Sequence, residues 1–127
     1  MGCDIHSSCY DINFQEIDYA PFDWRSYDLF SFLAGVRNYS DITPISEPRG
    51  YHEIIGIDSD SVVDRHSASW LYLDELVDYS GYETIIKDTR ENYREMSLRE
   101  FLEEGFFEEL GKLKILDVHL ICFDFDN

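Results

Sequence analysis

The stretch from Ile115 to Phe125 constrains the fold of this chain most. Written as a strand, it turns Val118, Leu120 and Cys122 to one side and His119, Ile121 and Phe123 to the other, because strand side chains alternate between faces. Apolar groups lie on both sides, the pattern of a central strand covered on both faces. A second strand candidate runs from Cys3 to Phe14, rich in β-branched and aromatic residues and free of Pro and Gly. Its Asp4, His6, Ser8 and Tyr10 share one face, and Cys3, Ile5, Ser7 and Cys9 the other. Two apolar terminal strands can pair in the middle of one sheet, with short helices from the intervening chain covering it. The expected fold class is therefore α+β. A length of 127 residues suits one domain, 1–127. A hydrophobic content of 44% is ample for a core and excludes an acidic disordered tail.

The helices have their own signals. Tyr27, Phe30 and Leu33-Ala34 recur at helical spacing and predict a helix over 25–34, which Gly35 ends in a left-handed cap. Ser97-Leu98-Arg99-Glu100 has the form of a capping box. The stripe Leu98, Phe101, Leu102, Phe106 and Leu110 then predicts a helix over 97–110. A short helical turn over 59–63 is expected, and a further helix over 69–78 after a brief extended start. The connection over 36–53 is long and carries Pro44, Pro48 and Gly50; such loops are often functional. Trp24 and Trp70 are expected in the core.

Charge narrows the function. Ten Lys and Arg against 27 Asp and Glu give a formal net charge of -17. Such a chain repels nucleic acid and anionic membranes. It suits a basic partner, or the imitation of nucleic acid before one, although excess charge also serves solubility alone. The sequence has no apolar run of about 18 residues that would span a membrane and no secretory leader. Position 6 is His rather than Ser or Thr, so the Met-Gly-Cys start does not predict lipidation. Three cysteines, Cys3, Cys9 and Cys122, are too few for a disulfide framework and fit reduced thiols in a cytoplasm.

Metal chemistry is suggested by the first six residues. Cys3, Asp4 and His6 place thiolate, carboxylate and imidazole within four positions, and these are the usual donors for zinc. The usual second pair of ligands is missing, so His66 would have to supply it. The expected set is Cys3, Asp4, His6 and His66, with Ser67 and Ser69 fixing the His66 ring. Walker, dinucleotide-binding and nucleophile-elbow motifs are absent, so a structural zinc site is expected rather than an enzyme. The alternative is a metal-dependent hydrolase of small phosphorylated or nucleotide substrates, with an open water position on the metal and Arg37 or Arg49 holding a phosphate.

Carboxylates suggest a docking surface. Glu100, Glu104 and Glu108 recur at four, with Glu103 and Glu109 beside them. A rise of about 1.5 Å per residue spaces the three by about 6 Å, near the phosphate spacing of a nucleic-acid strand, about 6–7 Å. Asp74, Glu75, Asp78 and Glu83 form a second acidic run. A solvated helix face is the plainer reading of either run alone.

Five short words occur in order along the chain: Met-Gly-Cys-Asp-Ile-His at the start, Leu33 to Asn38, Pro48-Arg49-Gly50, His66 to Trp70, and Phe125-Asp126-Asn127. On these the chain resembles a family of small phage and prophage proteins and is similar to anti-CRISPR proteins of the type II-A class. The resemblance implies a bacterial host cytoplasm and inhibition of a type II RNA-guided nuclease. It also implies a metal site built from Cys3, Asp4, His6 and His66. An acidic protein could fill the nuclease's positively charged channel and block loading of target DNA. The partner surface expected on this reading is Glu100, Glu103, Glu104 and Glu108, with Asp74, Glu75 and Asp78. Arg25, Arg37 and Arg49 are expected to pair with internal carboxylates or to sit at the rim.

Overall fold

In the computed structural model, which describes residues 2–56 and 63–126, both terminal segments become inner strands of a four-stranded antiparallel sheet. The elements in chain order are β1 (Ile5–Tyr10), β2 (Glu16–Ile17), α1 (Tyr27–Ala34), β3 (Arg65–Tyr72), α2 (Leu73–Val77), β4 (Ile85–Asp88), β5 (Arg94–Ser97), α3 (Leu98–Ile115) and β6 (Leu120–Asp126). The sheet order is β2-β1-β6-β3, and β4 and β5 form a separate hairpin. The α+β architecture follows from β6, which is buried along nearly its whole length. Ile121, Phe123 and Phe125 point into the main core with Ile5 and Cys9, while Leu120 and Cys122 meet Tyr10 on the other face.

The helices cover the first of these faces. Phe30 of α1 packs on Phe125 with ring centroids 5.0 Å apart. From α3, Phe106 stacks on Phe22 at 5.7 Å and meets Phe32 edge-on at 5.8 Å. Each fully buried Phe contributes about 1.5–3 kcal/mol. Ser26 caps α1 by accepting from the Leu29 N–H, and Gly35 ends it with φ 72. The Ser97–Glu100 capping box opens α3, which continues to Ile115, beyond the expected 110. Glu103 interrupts this helix with φ 68 and ψ 167, a conformation that is costly for any residue but Gly.

Three expectations need correction. The stretch 65–72 is a full edge strand rather than a short lead into a helix, and only Leu73–Val77 is helical. The hairpin β4–β5 was not expected at all. Trp24 is 38% exposed and Trp70 is only half-buried beneath the Arg49 guanidinium, so neither lies in the core. Most of the turn expected over 59–63 lies outside the described residues.

The long connection after α1 is a strap. Ile45 donates its N–H to the Phe32 carbonyl, and Gly50 donates to Ala68 on the outer edge of β3. Arg49 adds bonds to the Ser69 hydroxyl and the Trp70 carbonyl. The strap thus occupies backbone groups of an eight-residue edge strand that would otherwise invite pairing with another chain. It ends in a short 3-10 turn, Glu53–Ile55, with Ile54 and Ile55 packed against the second face of the sheet.

Candidate functional site

The four expected metal donors do not meet. Asp4 and His6 lie on the second face of the sheet, as the alternation requires, and Cys3 lies in the main core. His66 pairs with Phe125 in register, which places it on the helix-covered face, opposite His6. The cause is a bulge in β3. Between His66 and Ser69 the register gains one residue, and Ser67 takes φ 55. Plain alternation from Trp70 would have put His66 on the same face as His6; one extra residue reverses it.

The donors are also otherwise engaged. Arg25 clasps Asp4 with two bonds of 2.9 and 3.0 Å and holds its carboxyl below the usual carboxylate range. His6 Nε2 lies 2.5 Å from Asp126 Oδ2. Burial pushes the Cys3 thiol up, which disfavours the thiolate that zinc needs. His66 Nδ1 is 3.0 Å from the Ser67 hydroxyl, the neighbour expected to fix the ring, and its buried Nε2 has no hydrogen-bond partner among the described residues. Among the described residues no three His, Cys, Asp or Glu side chains converge as a metal site. In this arrangement Cys3, Asp4, His6 and His66 do not face one common point.

Another cluster assembles instead. Asp124 and Asp126 alternate with Phe123 and Phe125, so both carboxylates emerge beside His6. Asp124 is 6% exposed; its Oδ2 accepts from Tyr51 at 2.5 Å and its Oδ1 from Arg65 Nη1 at 2.8 Å. Asp126 accepts from the Asp4 N–H at 3.0 Å as well as facing His6. First the His6 bond and then this backbone bond hold its carboxyl low. Burial, followed by the Asp124 bond, pushes the Tyr51 phenol up to about 12, so Tyr51 remains a donor. His6, Ser8, Tyr51, Ile55, Arg65 and Asp124 border a groove of about 170 Å³. The Phe-Asp-Phe-Asp alternation at 123–126 was the available sequence signal for this cluster.

The carboxylates of α3 divide between the surface and the core. Glu100, Glu103, Glu104 and Glu108 surround one shallow depression of about 850 Å³, together with Arg99 and Phe107. All four are exposed, and Glu103, Glu104 and Glu108 make no ion pair among the described residues. Arg94 lies 3.6 Å from Glu100. The break at Glu103 removes the regular spacing between Glu100 and Glu104, leaving one helical repeat of about 6 Å from Glu104 to Glu108. Glu109 leaves the surface altogether. It is 5% exposed and accepts from Tyr19 at 2.5 Å and from the Phe22 N–H at 2.7 Å.

In the second acidic run, Glu75 is taken up by Arg49, with bonds of 2.6 and 2.8 Å, and by the Tyr72 N–H. Glu83 pairs with Arg99. Asp74 and Asp78 remain exposed and unpaired among the described residues. Arg25 and Arg49 pair with carboxylates, as expected, and Arg37 stacks over Tyr27 at 5.0 Å and donates to the Tyr39 hydroxyl at 3.3 Å. No helix among the described residues is long and apolar enough to cross a membrane. No family model matches this chain, and no curated protein or solved structure matches it either.

Proposed function

We propose that this chain is a binding protein that docks through the α3 carboxylate surface on a basic, nucleic-acid-handling partner. One observation carries the reading. In a chain of net charge -17, Glu103, Glu104 and Glu108 gather round one depression and make no ion pair among the described residues, and the Arg99 that borders it pairs with Glu83. Repulsion among them is tolerated in the free protein and relieved by a basic partner. Such complementarity speeds encounter and selects the partner more than it adds affinity. The similarity to type II-A anti-CRISPR proteins makes a type II RNA-guided nuclease the first partner to test, with obstruction of its DNA channel as the mechanism. The hydrolase alternative needs Cys3, Asp4, His6 and His66 on one ion, and no observation favours it.

The test is binding of the purified chain to a guide-loaded type II nuclease, with cleavage of target DNA as second readout. Wild type is expected to bind and inhibit, and Glu103→Lys/Glu104→Lys/Glu108→Lys to lose at least tenfold in affinity. Asp74→Lys/Asp78→Lys controls for net charge and is expected to lose less. Absence of binding by wild type removes the nuclease as partner. Equal losses in both variants remove the α3 surface as the interface.

A further inference from the structure

We infer that the groove beside the end of β6 is a binding site for a small oxyanion, a phosphate or carboxylate group, held chiefly by Arg65. Subtraction leads there. Each carboxylate oxygen of the cluster is already engaged: Asp124 by Tyr51 and Arg65, Asp126 by His6 and the Asp4 N–H. The polar capacity left over consists mainly of donors. Nε and Nη2 of Arg65 have no partner among the described residues, since only Nη1 is used. The Ser8 hydroxyl has a single long bond of 3.3 Å to Tyr10, easily exchanged. His6 spends Nε2 on Asp126, and its Nδ1 donates only when the ring carries both protons.

A guanidinium fixed by one arm against a buried carboxylate is preorganised, and its free edge matches the geometry of an oxyanion. The groove, at about 170 Å³, holds several waters or one small ligand. It is below the 300–1,000 Å³ typical of drug-sized ligands. The ligand is therefore a small anion, or the anionic group of a larger molecule whose remainder stays outside. The phosphate role that the sequence suggested for Arg49 cannot be filled there, because Glu75 occupies that guanidinium. The long-range field of a chain at -17 opposes any anion. Binding is thus weak, and it depends on the local balance of Arg65 and Arg25 against Asp124, Asp126 and Asp4.

The experiment is a ¹H–¹⁵N NMR titration of the full chain with inorganic phosphate, with acetate, and with chloride at matched ionic strength. Saturable shifts at residues 6–8, 51, 65 and 122–124 are expected with phosphate or acetate, and none that saturate with chloride. Saturation by phosphate alone assigns a phosphoryl ligand, by acetate alone a carboxylate, and by both an oxyanion site without preference. Arg65→Gln is expected to raise the dissociation constant at least tenfold, and Arg65→Lys, which keeps the charge and can still face Asp124, by less. If Arg65→Gln unfolds, the Arg65→Lys titration decides. Linear shifts with both anions, or binding unchanged in a folded Arg65 variant, overturn the site.

Discussion

Glu108 and Glu109 are adjacent in sequence and opposite in role, and Gln substitutions separate them. Glu109 receives the Tyr19 hydroxyl and the Phe22 N–H inside the core, where Phe22 itself is fully buried. It tethers the loop before α1 to α3. Gln in its place keeps one carbonyl acceptor and presents an NH₂ where the second bond was accepted. The loss is one hydrogen bond to a charged group plus one unsatisfied buried partner, about 1.5–3 kcal/mol. Ala removes both bonds and leaves a void, raising the cost to about 3–5 kcal/mol. Glu108 is exposed and has no ion pair among the described residues, so Glu108→Gln is expected within about 0.5 kcal/mol of wild type. Urea unfolding followed by far-UV circular dichroism reads both. With a slope of about 2 kcal/mol per molar, Glu109→Gln moves the midpoint down by about 1 M. A simple charge effect gives the opposite sign: in a chain at -17, removing either carboxylate relieves repulsion and stabilises. Equal, positive shifts for the two variants would refute the buried tether.

Three further outcomes are expected. Glu103→Gly should stabilise by about 1–2 kcal/mol, because the break at φ 68 and ψ 167 suits Gly alone; a loss of about 1 kcal/mol, the ordinary cost of Gly within a helix, means that α3 is continuous. Asp4, Glu75 and Asp126 all titrate below their ordinary ranges in the fold, through Arg25, Arg49 and His6 respectively. Their stabilisation is complete above the unfolded values of about 3.9 for Asp and 4.3 for Glu and is lost as pH falls through the lower folded ones. Asp126→Asn should therefore reduce the acid dependence of the melting temperature, and an unchanged profile contradicts the pairing with His6. Finally, elemental analysis and a melt with chelator test the separation of Cys3, Asp4, His6 and His66. No stoichiometric zinc and an unchanged melting temperature are expected, whereas one zinc per chain, lost in His6→Ala, requires a different arrangement of β3.

Where local chemistry dominates, the sequence was readable. The double-sided β6 could only be central, Gly35 could close α1, and Ser97 with Glu100 could open α3. What escaped depended on a single extra residue or on a partner far along the chain. Ser67 in the left-handed region inserts the bulge that turns His66 away from His6, and no local signal marks Ser as that residue. The hairpin β4–β5 buries only Asp88, Met96 and Ser97, too few apolar groups for a clear alternation, although Asn92 supplies a turn at φ 56. Glu109 cannot be told from Glu108 by composition, because its burial is set by Tyr19 and Phe22, 90 and 87 residues away. The exposure of Glu100, Glu104 and Glu108 followed from the helical period alone, whereas the break at Glu103 and the engagement of Glu75 by Arg49 did not.

The central functional claim is tested most directly by the association rate with the basic partner as ionic strength rises from 0.01 to 0.15 M. The Debye length shrinks from about 30 Å to about 8 Å over that range, so steering by the α3 carboxylates must fade. The expected result is a steep fall in wild-type association rate, with a much flatter dependence for Glu103→Lys/Glu104→Lys/Glu108→Lys and the two rates converging at high salt. A wild-type rate that is indifferent to salt, or a triple variant with the wild-type slope, contradicts it and assigns docking to a surface other than α3.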